Sequence, residues 1–405
     1  MNNLSSDRPR AAAIALSLVR GGLSGGDIRL KAMLERWQKC ADWTIVTSPA
    51  GRDNISTWDV DANFCLTHGF PEGLRTRNDV VAQLSNYWFS LDRAALRRFR
   101  QSPVEIIYIQ SDFTFEVATA VRVKALCPAA RMVATCHHSY DEILESSQAP
   151  IYRIMRALQR RSYRLMARHA DLVMVHPTVT GDRIREDLIK AGVAASCVVR
   201  MRNGVDLGVI PKRPSAAEFD ACVIGLRSNK GLDDIVPIWE HVCQLRPQAT
   251  LRIIGNMTVT DREQVERSAT QAGIAQYISF AGHFDHPEIY AEIQRSRLCV
   301  APTRQEPYGI AVCEAMACGL PVIGYDLPNY QRLHSGIIQT VACHDTVAFA
   351  ATIVSVLENE KERESLLKLG LGHIADFDND QIALEDWRRI VDDGSSASQG
   401  VTRRI

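Results

Sequence analysis

Apolar residues recur along this chain in short runs, each followed by a glycine- or proline-bearing turn and then a helix-period segment. The first run, Ala12–Val19, leads into Arg20-Gly21-Gly22-Leu23-Ser24-Gly25-Gly26, and the spacing behind it predicts a helix over Asp27–Lys39. Strands are then predicted at Trp43–Thr47, Ile106–Gln110, Arg131–Cys136 and Ala170–Val175, with helices at Glu116–Leu126 and Ile151–His169. The turn phrase Arg202-Asn203-Gly204-Val205-Asp206 interrupts the series, which restarts after Ile210–Pro214 with strand Ala221–Ile224, helix Asp233–Leu245 and strands Thr250–Ile254 and Tyr277–Phe280. Alternating strands and helices of this kind predict parallel sheets covered on both faces. The stretch Gly51–Arg100 has no clear period.

One segment stands out. Leu298–Val300 ends a strand, Pro307 and Gly309 force a turn, and a short helix, Ile310–Cys318, stops at Gly319 with Pro321 behind it. That helix is apolar apart from Glu314, and an unpaired buried carboxylate costs several kcal/mol. Glu314 lies one turn from the helix start, the end that attracts anions, and Glu306 stands at the mouth of the same loop. Two acids beside an anion-attracting helix end suit a ligand that carries both phosphate and hydroxyl groups.

A second candidate loop, Gly225-Leu226-Arg227-Ser228-Asn229-Lys230-Gly231, follows the first strand of the later series. Arg227 as a fork and Lys230 as a point charge suit a diphosphate whose negative charge grows as it leaves. His137 and His138 directly follow strand Arg131–Cys136, at a carboxyl end where open sheets bind ligands. The first glycine loop lacks G-x-G-x-x-G, and Thr47-Ser48-Pro49 stands where a ribose-binding acid is needed, which speaks against NAD binding. Asp59 and Asp61 form a lone Asp-x-Asp, read as a solvated turn rather than a metal site.

Bulk composition narrows the classes. The 405 residues allow two domains of ordinary size, and 47 acids against 47 bases remove any global case for nucleic-acid binding. Eleven scattered cysteines without a CxxC pair speak for a reducing compartment and against a disulfide framework or zinc site. The apolar run after Arg8 and Arg10 reads as a strand rather than a signal peptide, and no stretch has the roughly 18 apolar residues of a membrane span. The expected location is the cytoplasm. Helix Ile151–His169 carries Arg153, Arg156, Arg160, Arg164 and Arg168 on one stripe, which leaves peripheral contact with the inner face of a membrane open.

The run from Pro302 to Ile323, with Glu306 and Glu314 as an E-x7-E pair followed by Ala-Met-Ala-Cys-Gly-Leu-Pro-Val, resembles the retaining glycosyltransferases of family 4. The resemblance covers about Ala12 to Val391, tightly in Arg227–Val322 and loosely before Asn203. It implies a GT-B architecture: α/β, two Rossmann-like doubly wound domains facing across a cleft. The domains would be 1–203 on the acceptor side and 204–378 on the donor side, with a returning helix 379–393 and a flexible tail 394–405. It also implies that Glu306 meets the donor sugar, that Glu314 meets the nucleotide ribose, and that Gly309 and Ile310 offer backbone N–H groups to phosphate. Tyr308 joins them as donor-binding, Gly25 and Gly26 sit near the cleft, and His137 rather than His138 is the site histidine. The family usually shows Gly-Arg-x(4)-Lys-Gly where this chain is one residue shorter, so Lys230 carries over more directly than Arg227.

The implied reaction moves a sugar from a nucleotide-diphosphate sugar, UDP favoured over GDP, to the hydroxyl of a sugar or lipid-linked sugar in glycan or glycoconjugate synthesis. The anomeric configuration is retained by same-face attack, with neither metal nor cofactor. The rival readings are a nucleotide-sugar epimerase, a phosphorylase and a non-catalytic sugar-nucleotide-binding protein.

Overall fold

The computed structural model describes residues 8–18, 24–67, 93–146, 149–214, 216–285 and 287–392. Residues 19–23, half of the unassigned stretch (68–92) and the tail from Gly394 lie outside the described residues. The chain divides into two compact units. One runs to Arg202 and resumes at Asp380; the other is Asn203–Asn379.

In the first unit the described residues form a parallel sheet of β1 (Arg10–Ala15), β2 (Asp42–Thr47), β3 (Asn63–Leu66), β4 (Ile106–Ile109), β5 (Arg131–Cys136), β6 (Leu172–Val175) and β7 (Val198–Arg200). Their order is β3-β2-β1-β4-β5-β6-β7. Side chains alternate across a strand, and β1 shows the result. Ala12 and Ile14 join Phe99, Val117, Val123, Tyr163 and Met166 on one face, while Ala11, Ala13 and Ala15 join Leu30, Met33 and Trp37 on the other. The helix Asn379–Val391 completes that second face with Ile382, Ala383 and Ile390. Trp37 donates its indole N–H to the Ala383 carbonyl at 2.9 Å and lies 5.9 Å from Trp387. Beside them Arg29 and Asp386 form a fully buried ion pair.

The second unit holds β8 (Phe219–Ile224), β9 (Leu251–Ile254), β10 (Ile278–Gly282), β11 (Ser296–Ala301), β12 (Val322–Tyr325) and β13 (Gln339–Val341). These are parallel in the order β10-β9-β8-β11-β12-β13. The strand order reverses between β1 and β4 in the first sheet and between β8 and β11 in the second, and open sheets take ligands at the carboxyl ends of such strands.

Local chemistry moved some boundaries. Gly25 and Gly26 are the first residues of helix Gly25–Trp37 rather than part of a loop. Ser24 is the N-cap, exchanging hydrogen bonds with Asp27 in a capping box. Strand β1 ends at Ala15, short of Val19. The stretch Gly51–Arg100 contributes the last turns of helix Pro49–Ile55, β3 and most of helix Arg93–Gln101. Asp59 and Asp61 are exposed in the loop entering β3, at the amino-end edge of the sheet and away from its ligand-binding edge.

Candidate active site

The two loops that leave β8 and β11 meet at the switch point of the second sheet. After β8, Gly225 (φ 70°) turns the chain, Leu226 anchors it in the core, and Ser228–Lys230 form one 3-10 turn ending at Gly231 (φ 81°). A Cβ at Gly231 would stand 2.3 Å from the Pro302 carbonyl oxygen, so the close approach of the loops requires glycine there. Arg304 N–H donates to the Asn229 carbonyl at 3.1 Å and ties them together. Lys230 then reaches across to Glu306 in a part-buried ion pair.

Glu306 is held from three sides. Besides Lys230, its Oε1 accepts from Gly309 N–H at 3.0 Å, and its carbonyl accepts from the Asn329 amide at 2.8 Å. Gly309 (φ 93°) is the N-cap of helix Ile310–Ala317. The first-turn N–H groups of such a helix, those of Ile310 and Ala311, have no carbonyl within it to bond and point toward the loop. Tyr308 is buried and donates its hydroxyl to the Asn203 carbonyl at 2.9 Å. Val223, Lys230, Thr303, Glu306, Gly309 and Tyr330 line a pocket at this point.

Glu314 lies one turn further into the helix and is buried. Burial, reinforced by Asp206 and opposed by Lys230, pushes its carboxyl up to about 8. Arg227 is exposed on the same loop as Lys230; its carbonyl accepts from Lys230 N–H at 2.8 Å, and its side chain makes no hydrogen bond or ion pair with a described residue.

A supporting knot has no signature in sequence spacing. Asp234 accepts two bonds from Arg304, at 2.9 and 2.6 Å, and one from the Tyr325 hydroxyl at 3.0 Å. It fixes the root of the β11 loop, and Asn329 fixes its tip. Only the tertiary fold joins these residues.

The first unit has its own polar cluster at the β1/β4 switch point. His137 follows β5, and its Nε2 lies 3.0 Å from the Gln110 carbonyl while its Nδ1 lies 3.1 Å from His176 Nε2. A carbonyl only accepts, so His137 Nε2 carries the proton and Nδ1 accepts from His176. Burial, aided by His138 and Arg29, pushes His137 down to about 3, so the ring is neutral with both nitrogens engaged. A Cβ on Gly26 would lie 3.5 Å from this ring. Glu116, unremarked in the sequence, accepts from Leu16 and Ser17 N–H at 2.8 Å each and is pushed up to about 7 by burial. It anchors the chain leaving β1. His138 is exposed.

The structure therefore gathers Lys230, Glu306, Tyr308, Gly309, Ile310 and Glu314 in the second unit, with Arg227 at the rim, and Gly25, Gly26 and His137 in the first. Residues 216–370 match the family model described as Glycosyl transferases group 1. A glycogen synthase of Mycobacterium tuberculosis is 30% identical over 203 residues, 48% of this chain and 47% of the relative. The match thus spans about half the length of that curated relative. A phosphatidyl-myo-inositol mannosyltransferase of Mycobacterium leprae is 25% identical over 60% of this chain and 68% of its own. Among solved structures, an Anabaena protein (Alr3699/HepE) in complex with UDP and glucose superposes with a TM-score of 0.72 at 14% identity, covering 95% of this chain and 99% of that one. Sucrose-phosphate synthase of Thermosynechococcus elongatus gives 0.74 at 17% identity, covering 94% and 98%. At such identities the likeness is one of fold, and that fold is GT-B.

Proposed function

We infer, from a chain of GT-B fold whose residues 216–370 form a glycosyl transferases group 1 domain, that this protein transfers a sugar from a nucleotide-diphosphate sugar to an acceptor hydroxyl. The observation that carries the reading is the Lys230–Glu306 pair at the β8/β11 switch point, beside the open start of helix Ile310–Ala317. The diphosphate takes the helix N–H groups and Lys230, with Arg227 turning in from the rim. Lys230 then exchanges its carboxylate partner for phosphate, and Glu306 is released toward the sugar hydroxyls. Glu314 accepts from the ribose diol.

As the anomeric carbon–oxygen bond breaks, negative charge grows on the diphosphate and Lys230 and Arg227 stabilise it, so the step needs no metal ion. The acceptor attacks from the face the diphosphate leaves, a leaving oxygen takes its proton, and configuration is retained. His137, neutral and held at both nitrogens, positions the chain around Gln110 and Gly26 rather than moving a proton.

A UDP-sugar is the first donor to test, since the Anabaena protein of the same fold is held with UDP and glucose. GDP-mannose is the second, after a Xanthomonas campestris relative, 26% identical, that is a GDP-mannose:cellobiosyl-diphosphopolyprenol alpha-mannosyltransferase. That relative also makes a lipid-linked sugar the first acceptor to try.

The test is nucleoside diphosphate release across UDP-, GDP- and ADP-sugars, with wild type and Glu306→Ala in parallel. Release from one donor, reduced about 100-fold or more in the variant and unchanged by EDTA, supports the reading. Release without an acceptor and with an altered sugar would mean an epimerase. Donor binding without turnover in the presence of lipid-linked and free sugars would overturn catalysis.

A further inference from the structure

Two histidines meet behind the β11 loop. Helix Pro328–His334 begins with Asn329 and Tyr330, which support the tip of that loop, and ends at His334. Asn329 bonds the Glu306 carbonyl, and the Tyr330 ring lies 3.0 Å from where a Cβ on Gly309 would stand. His334 is buried, and its Nδ1 lies 3.0 Å from Nε2 of His373, near the end of helix Glu360–Ile374. This second helix packs on the site helix Ile310–Ala317, where Gly370 leaves room for Met316. One contact between rings therefore joins the support of the loop's tip to the support of the helix that Gly309 caps. Phe377 covers the pair, its ring 6.2 Å from His334 and 5.0 Å from His373.

The proton in this contact can be assigned. Nε2 of His334 is buried and has no hydrogen-bond partner among the described residues. A proton there would be an orphaned donor, so His334 carries its proton on Nδ1 and donates it to His373 Nε2. A protonated His373 carries N–H groups at both nitrogens and has nothing left to accept with. Burial and His373 push His334 down to about 3, so it stays neutral in mild acid, whereas His373 is only half-buried. Few other charges face the pair. Asp376 favours the charged form of His373 against burial, which lowers it; Tyr330 faces His334 as a neutral phenol. Arg332, two positions before His334, is exposed, and Glu314 of the site helix is turned toward Asp206 and Lys230. Helix Thr346–Glu358, also packed on Glu360–Ile374, has one charge, Glu358, which adjoins that helix at the end opposite His373.

We propose that His334 and His373 are positioning residues for the β11 loop, and that mild acid releases the loop when His373 takes up a proton and the contact between the two helices breaks. Neither ring lines the pocket. The sign follows from burial: below 6.5 the unfolded chain binds protons that the pair refuses, so the contact is intact above that value and weakens as pH falls. The consequence for a nucleotide rests on the proposed donor site; the release itself does not.

Hydrogen exchange of the Gly309 amide and of helix Pro328–His334, corrected for its intrinsic pH dependence, reads the release without a ligand. Between pH 8 and pH 5 exchange should quicken about two- to tenfold in wild type, the worth of one buried hydrogen bond. His373→Gln, whose side-chain carbonyl accepts from His334 Nδ1 at every pH, should show no such rise, and His373→Ala should be fast at both. Affinity for UDP or GDP should follow the same order. Glu314 imposes its own slope on all three proteins, so the quantity read is the affinity of His373→Gln over that of wild type, about 1 at pH 8 and about two- to tenfold at pH 5. Exchange that depends on pH identically in wild type and His373→Gln, or exchange in His373→Ala as slow as wild type at pH 8, would overturn the proposal. Acid-quickened exchange in wild type alone, with neither UDP nor GDP bound at any pH, would support the release and fail the donor reading instead.

Discussion

Glu314 offers a test in which stability and binding must answer together. Its carboxyl has an ordinary value of 4.5 and is pushed up to about 8 by burial, by Asp206 and against the pull of Lys230. At about 1.4 kcal/mol per pH unit, holding this carboxyl at its raised value costs the folded, ligand-free protein about 3 kcal/mol of stability at pH 7 and about 5 above pH 9. The sign follows from the raised value. Below 4.5 both states hold the proton and nothing is lost. As pH rises from 4.5 to 8 the unfolded chain gives up a proton that the fold retains, and stability falls.

Glu314→Gln keeps the shape and removes the titration. It should match wild type near pH 5 and exceed it by several kcal/mol at pH 8.5. At about 2–4 °C per kcal/mol for a unit of this size, that is a melting temperature at least about 6 °C higher. Binding carries the complementary signature. If a ribose diol donates to the ionised carboxylate, donor binding expels a proton below pH 8, and calorimetry in two buffers of different ionisation enthalpy measures it. The Gln variant should bind more weakly and release no proton. A stability difference that does not vary with pH, or identical proton release from both proteins, would refute the reasoning.

Other perturbations act on separate parts of the fold. Lys230→Met strips Glu306 of its cation and the leaving diphosphate of its counter-charge, so turnover should fall about 100-fold or more while circular dichroism is unchanged. Gly231→Ala forces a side chain into a left-handed φ and against Pro302, and should cost about 3 kcal/mol or more by urea unfolding, with donor binding lost. Asp386→Ala leaves Arg29 as an unpaired buried charge and should cost about 3–5 kcal/mol by the same measurement, whereas Arg29→Met with Asp386→Leu should cost much less. His137, pushed down to about 3, refuses the proton that the unfolded chain binds below its ordinary 6.5. Stability should therefore fall as pH drops from 6.5 toward 3, less steeply in His137→Phe, and activity should show no inflection from this ring between pH 5 and 8.

What the sequence made legible divides by the range of the physics involved. The β11 loop and its helix could be read because their signals are local: Pro307 and Gly309 for the turn, Gly319 for the stop, and one acid where only apolar residues pack. The strands could be read because a parallel sheet covered on both faces needs continuous apolar runs. The start of helix Gly25–Trp37 was local too. Ser24 and Asp27 form the capping pair three residues apart that marks an N-terminus, and the preceding glycines hid it.

Residues joined only by the fold were not legible. Asp234 and Arg304 are 70 positions apart, and Leu16 and Glu116 are 100 apart. Each pair looks in sequence like an ordinary charge or an ordinary strand end. Their placement explains why a site of few residues can be held in register by so many others. Asp234 fixes the root of one loop, Asn329 its tip, and Gly231 the contact with the next. Lys230 and Glu306 can pair without a ligand and separate around one because the backbone beneath them does not have to move. That division of labour predicts which substitutions cost stability and which cost turnover. Changes at Asp234, Gly231 or Asn329 should lower both together. Changes at Lys230, Arg227 or Glu306 should lower turnover alone, since their side chains end in or at the rim of a pocket that the ligand, rather than the core, completes.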